Sequence, residues 1–152
     1  MHTQHLRTFE PRNPDFEAHV RASFARQGLM TTLEATLMTV APGHVVIEAR
    51  FRQDLTQQHG FLHAAIVTAL VDTACGYAAL SLMPLDMDVL TVEYKVNFLA
   101  PARGKRFIAY GQVTKPGRTL TVCTGDVVAV MDTQEILVAT MLSTMIRQPV
   151  DE

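Results

Sequence analysis

Across positions 61–85 the only Asp, Glu, Lys or Arg is Asp72, set among Leu70, Val71, Ala74 and Cys75. A carboxylate in apolar surroundings is costly to keep charged, so it is either paired or its pKa is driven upward. A group of that kind can serve as a general base or nucleophile near neutral pH. A carboxylate satisfied by backbone or hydroxyl groups of a neighbouring element, or placed at an interface, accounts for the same residue without chemistry. Both readings stand on the sequence.

A second constellation precedes it, Gln57-Gln58-His59-Gly60-Phe61-Leu62-His63-Ala64-Ala65. A polar loop here delivers His63 to the start of an apolar run. The first backbone N–H groups of a helix have no partner within it and carry the positive end of its dipole, so the N–H of Ala64 suits a carbonyl oxygen gaining negative charge. Small side chains at Ala64 and Ala65 let a ligand approach the backbone. The plainer reading makes His63 a packed residue at the helix start and the two alanines ordinary helix formers. If both constellations serve one reaction, geometry matters. Ala64 and Asp72 are eight positions apart, about 12 Å along a helix axis, so one copy cannot apply both to one carbonyl. Antiparallel copies of the helix in a two-fold dimer could, with two identical sites.

The elements that must position these groups follow from the pattern. The run 62–82 is rich in Ala and Leu, has Gly76 as its only breaker before Pro84 and is apolar on nearly every side, which predicts a helix wrapped by other structure. Ahead of it, Asn13 as N-cap, Pro14 at the first helical position and apolar Phe16, Val20, Phe24 and Leu29 predict a peripheral helix over 14–28. From Thr31 the period changes to alternation through Leu33, Ala35 and Leu37, and Ala41-Pro42-Gly43-His44 turns the chain into 45–52, a hairpin. The polar stretch 53–60 is a loop. After the helix come β-rich runs at 90–99, 105–114, 119–131 and 135–146, separated by Pro101-Ala102-Arg103-Gly104, Pro116-Gly117 and Asp132-Thr133. Helices and strands do not alternate, so the class is α+β: one antiparallel six-stranded sheet wrapped around a long central helix, in a single domain over 1–152 with its core at 31–147. Such a sheet covers one side of the helix and leaves surfaces that want a partner subunit.

Composition narrows the function. With 152 residues, 48% hydrophobic and 18% charged, the chain can bury a core without disulfides or metals. The formal net charge of −2 and scattered Lys and Arg give no nucleic-acid arm and no membrane-surface patch. Cys75 and Cys123 lack ligand or redox spacing and read as reduced, buried thiols, with no metal. The N-terminal stretch, with His2, His5, Arg7, Glu10 and Arg12, has no apolar core of a signal peptide, and Asp72, Gly76 and Pro84 argue against a membrane span in 61–85. The expectation is a cytoplasmic protein with neither nucleic-acid nor membrane partners.

These residues carry a resemblance. The segment Gln57, Gly60, His63-Ala64-Ala65 and Leu70-Val71-Asp72-Thr73-Ala74 resembles the mark of hotdog-fold acyl-CoA thioesterases of the phenylacetic-acid-pathway type, within the wider thioesterase superfamily: an Asn, a Gly three residues on, His-Gly-Gly, then Leu-x-Asp-x-Ala. The stretch from Thr91 to Ala102, Gly111 and Lys115-Pro116-Gly117-Arg118 is similar to the family's later strands, so the likeness covers roughly 33–146. Two departures are Gln57 for Asn and Ala64-Ala65 for Gly-Gly. The resemblance implies a hotdog fold and acyl-CoA hydrolysis, with Asp72 activating water or attacking the thioester carbon and the Ala64 N–H holding the oxyanion. It places Gln57 on the water or acyl carbonyl, His63 in the oxyanion loop and the Thr91 hydroxyl beside the carboxylate. It also implies an acyl pocket involving Gly60, Phe61, Ala65, Tyr77 and Leu80, and coenzyme A phosphates met by Arg103, Lys115 and Arg118. Coenzyme A is then part of the substrate and no cofactor is needed. The partner is a second copy, in a homodimer with composite sites that pairs into a dimer of dimers. A hotdog hydratase or dehydratase using His63 and Asp72, or a non-catalytic acyl-CoA binder, are the competing readings.

Overall fold

A computed structural model describes residues 7–150, and His2 and His5 lie outside them. The Asn13 side chain accepts a hydrogen bond from the Asp15 N–H at 2.9 Å, closing a turn just ahead of α1 (Phe16–Arg26). The helix therefore starts after Pro14, not on it. Nor does it run to Gly28: Gln27, extended at φ −79°, ψ 104°, breaks it, and Gly28 opens a short second helix, α2 (Gly28–Thr32). This helix absorbs residues whose alternation suggested a strand, so Leu33 caps α2 and is buried, and β1 (Thr36–Ala41) begins later than expected. The pair is not peripheral either, because Val20 and Met30 are buried in the main core.

A tight turn at Gly43, φ +74°, joins β1 to β2 (His44–Arg50). A short 3-10 turn (Gln53–Leu55) and the polar loop lead into α3 (Ala64–Leu80). Four strands follow, β3 (Met87–Phe98), β4 (Arg106–Lys115), β5 (Leu120–Met131) and β6 (Gln134–Pro149). All pairings are antiparallel, in the order β1-β2-β4-β5-β6-β3. The six-stranded sheet wrapped around one long helix is thus as the sequence predicts, with strand ends displaced by a few residues.

The core lies between α3 and the sheet. Val67, Leu70, Val71, Ala74 and Ala78 meet Phe107, Ala109, Val127, Ala139 and Met145, all nearly or wholly buried, and each large side chain so removed from water contributes about 1.5–3 kcal/mol. What lets the helix sit this close is a pair of glycines facing each other across β4 and β5, Gly111 and Gly125. A Cβ on Gly111 would stand 2.2 Å from the Ala74 carbonyl carbon, and one on Gly125 2.5 Å from a Val71 methyl. Cys75 and Cys123 are free and buried there, and burial pushes the Cys75 thiol up to about 12, which leaves it unreactive.

The two sheet edges differ. α1 packs on β1 at one edge. At the other, β3 has neighbours on one side only and exposes Leu90, Val92, Tyr94 and Phe98. Among the described residues no helix is long and apolar enough to cross a membrane.

Candidate active site

Asp72 stands at the middle of α3, yet its side chain is only half-buried, on the flank that faces β3. The Thr91 hydroxyl donates to its Oδ1 at 2.8 Å. Desolvation drives the carboxyl pKa upward, and the Thr91 hydrogen bond opposes that rise. Thr91 reaches Asp72 just before a β-bulge, where the β3–β6 register slips between Thr91 and Glu93. Bulges twist a strand and re-aim its side chains.

Two spaces meet at Asp72. A cavity of about 360 Å³ with largely polar walls lies between α1, α3 and β3, and includes Ser23, Gln27, Tyr77, Asp88 and Thr91. A groove of about 770 Å³, largely apolar, runs along α3 past Ala64, Ala65, Ala69, Tyr94 and Phe98. Tyr77 therefore lines the polar cavity, its hydroxyl 3.3 Å from both Ser23 Oγ and Gln27 Nε2. Leu80, expected beside it, is 1% exposed and lines neither space; it belongs to the core under the sheet.

The helix N-terminus forms a second centre. His63 is the N-cap, and its Nδ1 accepts from the Ala65 N–H at 2.9 Å. That bond satisfies one orphan donor of the first turn, and the Ala64 N–H remains without a partner among the described residues, on an exposed residue. Gln57 folds back on its own loop, Oε1 accepting from His59 N–H at 2.6 Å and Phe61 N–H at 3.3 Å. Its amide NH₂ is left free to donate. Gly60 supports this turn at φ +81°, a conformation favouring glycine. Gln57, Phe61, Ala64 and Phe98 share an apolar cleft of about 150 Å³, and the Arg103 guanidinium lies 5.0 Å above the Phe61 ring, within cation–π range.

One protomer therefore brings Asp72, Thr91 and Tyr77 together, and separately Gln57, Gly60, Phe61, His63, Ala64, Ala65 and Arg103. The two centres lie about 12 Å apart along α3. The basic residues do not gather at one mouth: Arg118 lies past the C-terminal end of α3, in a shallow groove with Arg12 and Arg147, and Lys115 ends the adjacent strand. Among the described residues no three His, Cys, Asp or Glu side chains could hold a metal.

Sequence reasoning missed three contributors. Ser23 and Gln27 reach the Asp72 cavity from a helix read as peripheral; periodicity treats them as surface residues. Gly125 seats α3 beneath Asp72, and a glycine inside a β run is itself a sign of close backbone approach.

The arrangement offers a carboxylate with a raised pKa in one place and two unpaired N–H donors in another. A base or nucleophile and an oxyanion cradle are the parts needed to cleave an activated acyl group.

Comparison with known proteins agrees. Human acyl-coenzyme A thioesterase 13 is 28% identical over 92 residues, 60% of this chain and 65% of that protein. A thioesterase family protein from Silicibacter pomeroyi is 51% identical in its crystal structure, with a TM-score of 0.87 over 89% of this chain and 99% of that one. The E. coli PaaI protein from the phenylacetic acid degradation operon shares the fold at 19% identity, TM-score 0.80, over 88% of this chain and 94% of its own. The chain spans 64% and 65% of the length of two of the curated relatives it matches. The profile of the thioesterase superfamily matches residues 59–136, from the loop before α3 into β6. With six antiparallel strands around one helix and that match over half its length, the chain belongs to the thioesterase superfamily and has its hotdog fold.

Proposed function

We propose that this protein hydrolyses acyl-CoA thioesters to the free acid and coenzyme A, as a homodimer of single hotdog domains in the cytoplasm. The observation that carries the reading is Asp72, the one charge in a buried helix, held by Thr91 where a polar cavity meets an apolar groove. With Oδ1 bound to Thr91, Oδ2 is free to take a proton from water. The hydroxide so formed attacks the thioester carbon, and the C–S bond then breaks. A thiolate leaves without strong acid help, so one base suffices. The carbonyl oxygen, negative in the tetrahedral state, accepts from the Ala64 N–H and the Gln57 amide of the partner. His63 holds the loop in shape by accepting from Ala65.

The dimer is supported by the long, one-sided β3 edge with its exposed apolar side chains, the kind of edge that pairs with another chain. Pairing two β3 edges about a two-fold axis sets α3 of each protomer antiparallel to the other and carries Asp72 toward the partner's oxyanion donors. It also brings the end bearing Lys115 and Arg118 toward the partner's Arg103, so that basic groups from both chains meet the coenzyme A phosphates. The outer sheet face, where Val46, Tyr110 and Leu137 stay partly open around the buried Ile108, Val128 and Val130, is the surface for a dimer of dimers. The two free, buried thiols suit a reducing compartment.

The test is thiol release from a panel of acyl-CoAs, phenylacetyl-CoA and straight-chain esters included, by wild type and Asp72→Asn. Turnover reduced about 10²–10⁴-fold in the mutant is the expected result. Normal hydrolysis by Asp72→Asn removes the proposed base, and tight binding of every ester without turnover replaces the enzyme with an acyl-CoA binder.

A further inference from the structure

Gln27 occupies the break between α1 and α2, outside the residues matched to the superfamily. Its amide spans two residues of α3: Nε2 donates to the Tyr77 hydroxyl and Oε1 accepts from Thr73 Oγ1, each at 3.3 Å. Of the side chains that line the polar cavity and the apolar groove, three are common to both: Asp72, Thr73 and Gln27. Asp72 and Thr73 belong to the helix floor. Gln27 comes from another element, reaching from the α1–α2 break onto α3 where the two spaces meet.

We infer that Gln27 determines acyl specificity, acting as a bar that stops the acyl group in the groove and keeps it out of the cavity beyond. The inference rests on the hydrolase reading above. An acyl chain whose carbonyl lies at Asp72 has two ways to go. Along the groove, whose β3 side meets the partner subunit in the proposed dimer, it meets Ala65, Ala69 and Phe98, surfaces suited to alkyl or aryl groups. Toward α1 it meets the Gln27 amide, and behind that Ser23, Tyr77 and Asp88. An alkyl chain entering there must displace the amide from both partners and desolvate polar groups without replacing their hydrogen bonds. The bonds at 3.3 Å are long, so the barrier lies in the volume of the side chain as much as in its tether. Removing volume opens the cavity; removing only the hydrogen bonds does not.

The experiment is kcat/KM across a straight-chain series from butyryl- to myristoyl-CoA for wild type, Gln27→Ala, Gln27→Asn and Gln27→Met, each variant's values taken relative to its own best ester so that the folded fraction cancels. Wild type is expected to fall sharply beyond one chain length. Gln27→Ala moves that step outward by at least two carbons, and the ester just past the wild-type limit gains about 10-fold or more. Gln27→Asn, one methylene shorter and least disturbing to folding, moves it the same way by less. Gln27→Met, of similar volume, leaves it in place. A wild type without a step, a step unmoved in both shortened variants, or one moved equally by Gln27→Met overturns the inference. Wild type without turnover on any ester overturns the hydrolase reading and this inference together, whereas turnover with an unchanged profile removes only the bar.

Discussion

Asp72 was legible because a lone charge in an apolar run must be explained, whereas its partner Thr91, nineteen positions away, was placed beside it by the family resemblance alone, since the contact is made at the β3 bulge. Gln57 was legible as a position but not as a geometry, since what its amide can do depends on the loop closing onto His59 and Phe61. The carboxyl's raised pKa has consequences of known sign. A folded-state pKa above the unfolded value means that the native state binds this proton more readily, so stability rises as pH falls through the folded value and is lowered above it, where the group is charged. Asp72→Asn is therefore expected to raise the neutral-pH Tm, by about 2–4 °C for each kcal/mol relieved, while hydrolysis is lost; calorimetry beside the thiol assay checks this, and a lowered Tm removes burial as the cause of the shift. The proposed base acts in its charged form, so the rate is expected to fall as pH drops through the same pKa. Thr91→Val deletes the hydrogen bond that holds the pKa down, and the acid limb of its kcat/KM profile moves to higher pH.

At the scale of elements, periodicity located the long helix and all six strands because burial on one or all sides leaves a clear pattern. It failed at 28–35, where Leu33 and Ala35 alternate like a strand but Met30 and Leu33 are drawn into the core by a short helix after Gln27. Tertiary contact overrode a weak local preference. The seating of α3 on the sheet was legible only in part: glycines inside β4 and β5 signal close approach, but not to which element. Their role gives a direct prediction. Gly111→Ala puts a methyl carbon into the Ala74 backbone, which cannot step aside as a side-chain tip can. The cost is expected to be about 3 kcal/mol or more, at or above the upper end for overpacking, read as a lower urea midpoint with an unchanged slope. Gly125→Ala meets a Val71 methyl and the Cys75 sulfur, which can shift, and a backbone atom, the Tyr110 carbonyl oxygen, only at 2.9 Å, so its loss should be smaller. Equal losses at both positions would mean that the helix lifts as a unit.

At the scale of the whole molecule, the eight-residue offset between Ala64 and Asp72 requires two chains if both groups act on one carbonyl, as proposed, and that much follows from helix geometry without coordinates. The edge proposed to join them does not, because the sequence alone leaves strand order open; the exposed apolar residues of β3 acquire meaning only once it lies at the sheet's rim. Charging that rim by Tyr94→Lys with Phe98→Asp should give monomers by light scattering and abolish turnover although Asp72 and Thr91 are intact. The sharper test separates assembly from chemistry. Ala64 occupies the first helical position, where proline is well tolerated, and His63 before it is already extended at φ −62°, ψ 139°, as a residue preceding proline requires. Ala64→Pro thus deletes the proposed oxyanion donor while sparing the helix, and alone it should be as inactive as Asp72→Asn. Co-refolding the two in equal amounts gives heterodimers in which one site carries both lesions and the other neither, so about a quarter of wild-type activity should return if the sites are composite. A site contained within one protomer predicts no recovery at any mixing ratio, because every chain then carries its own defect.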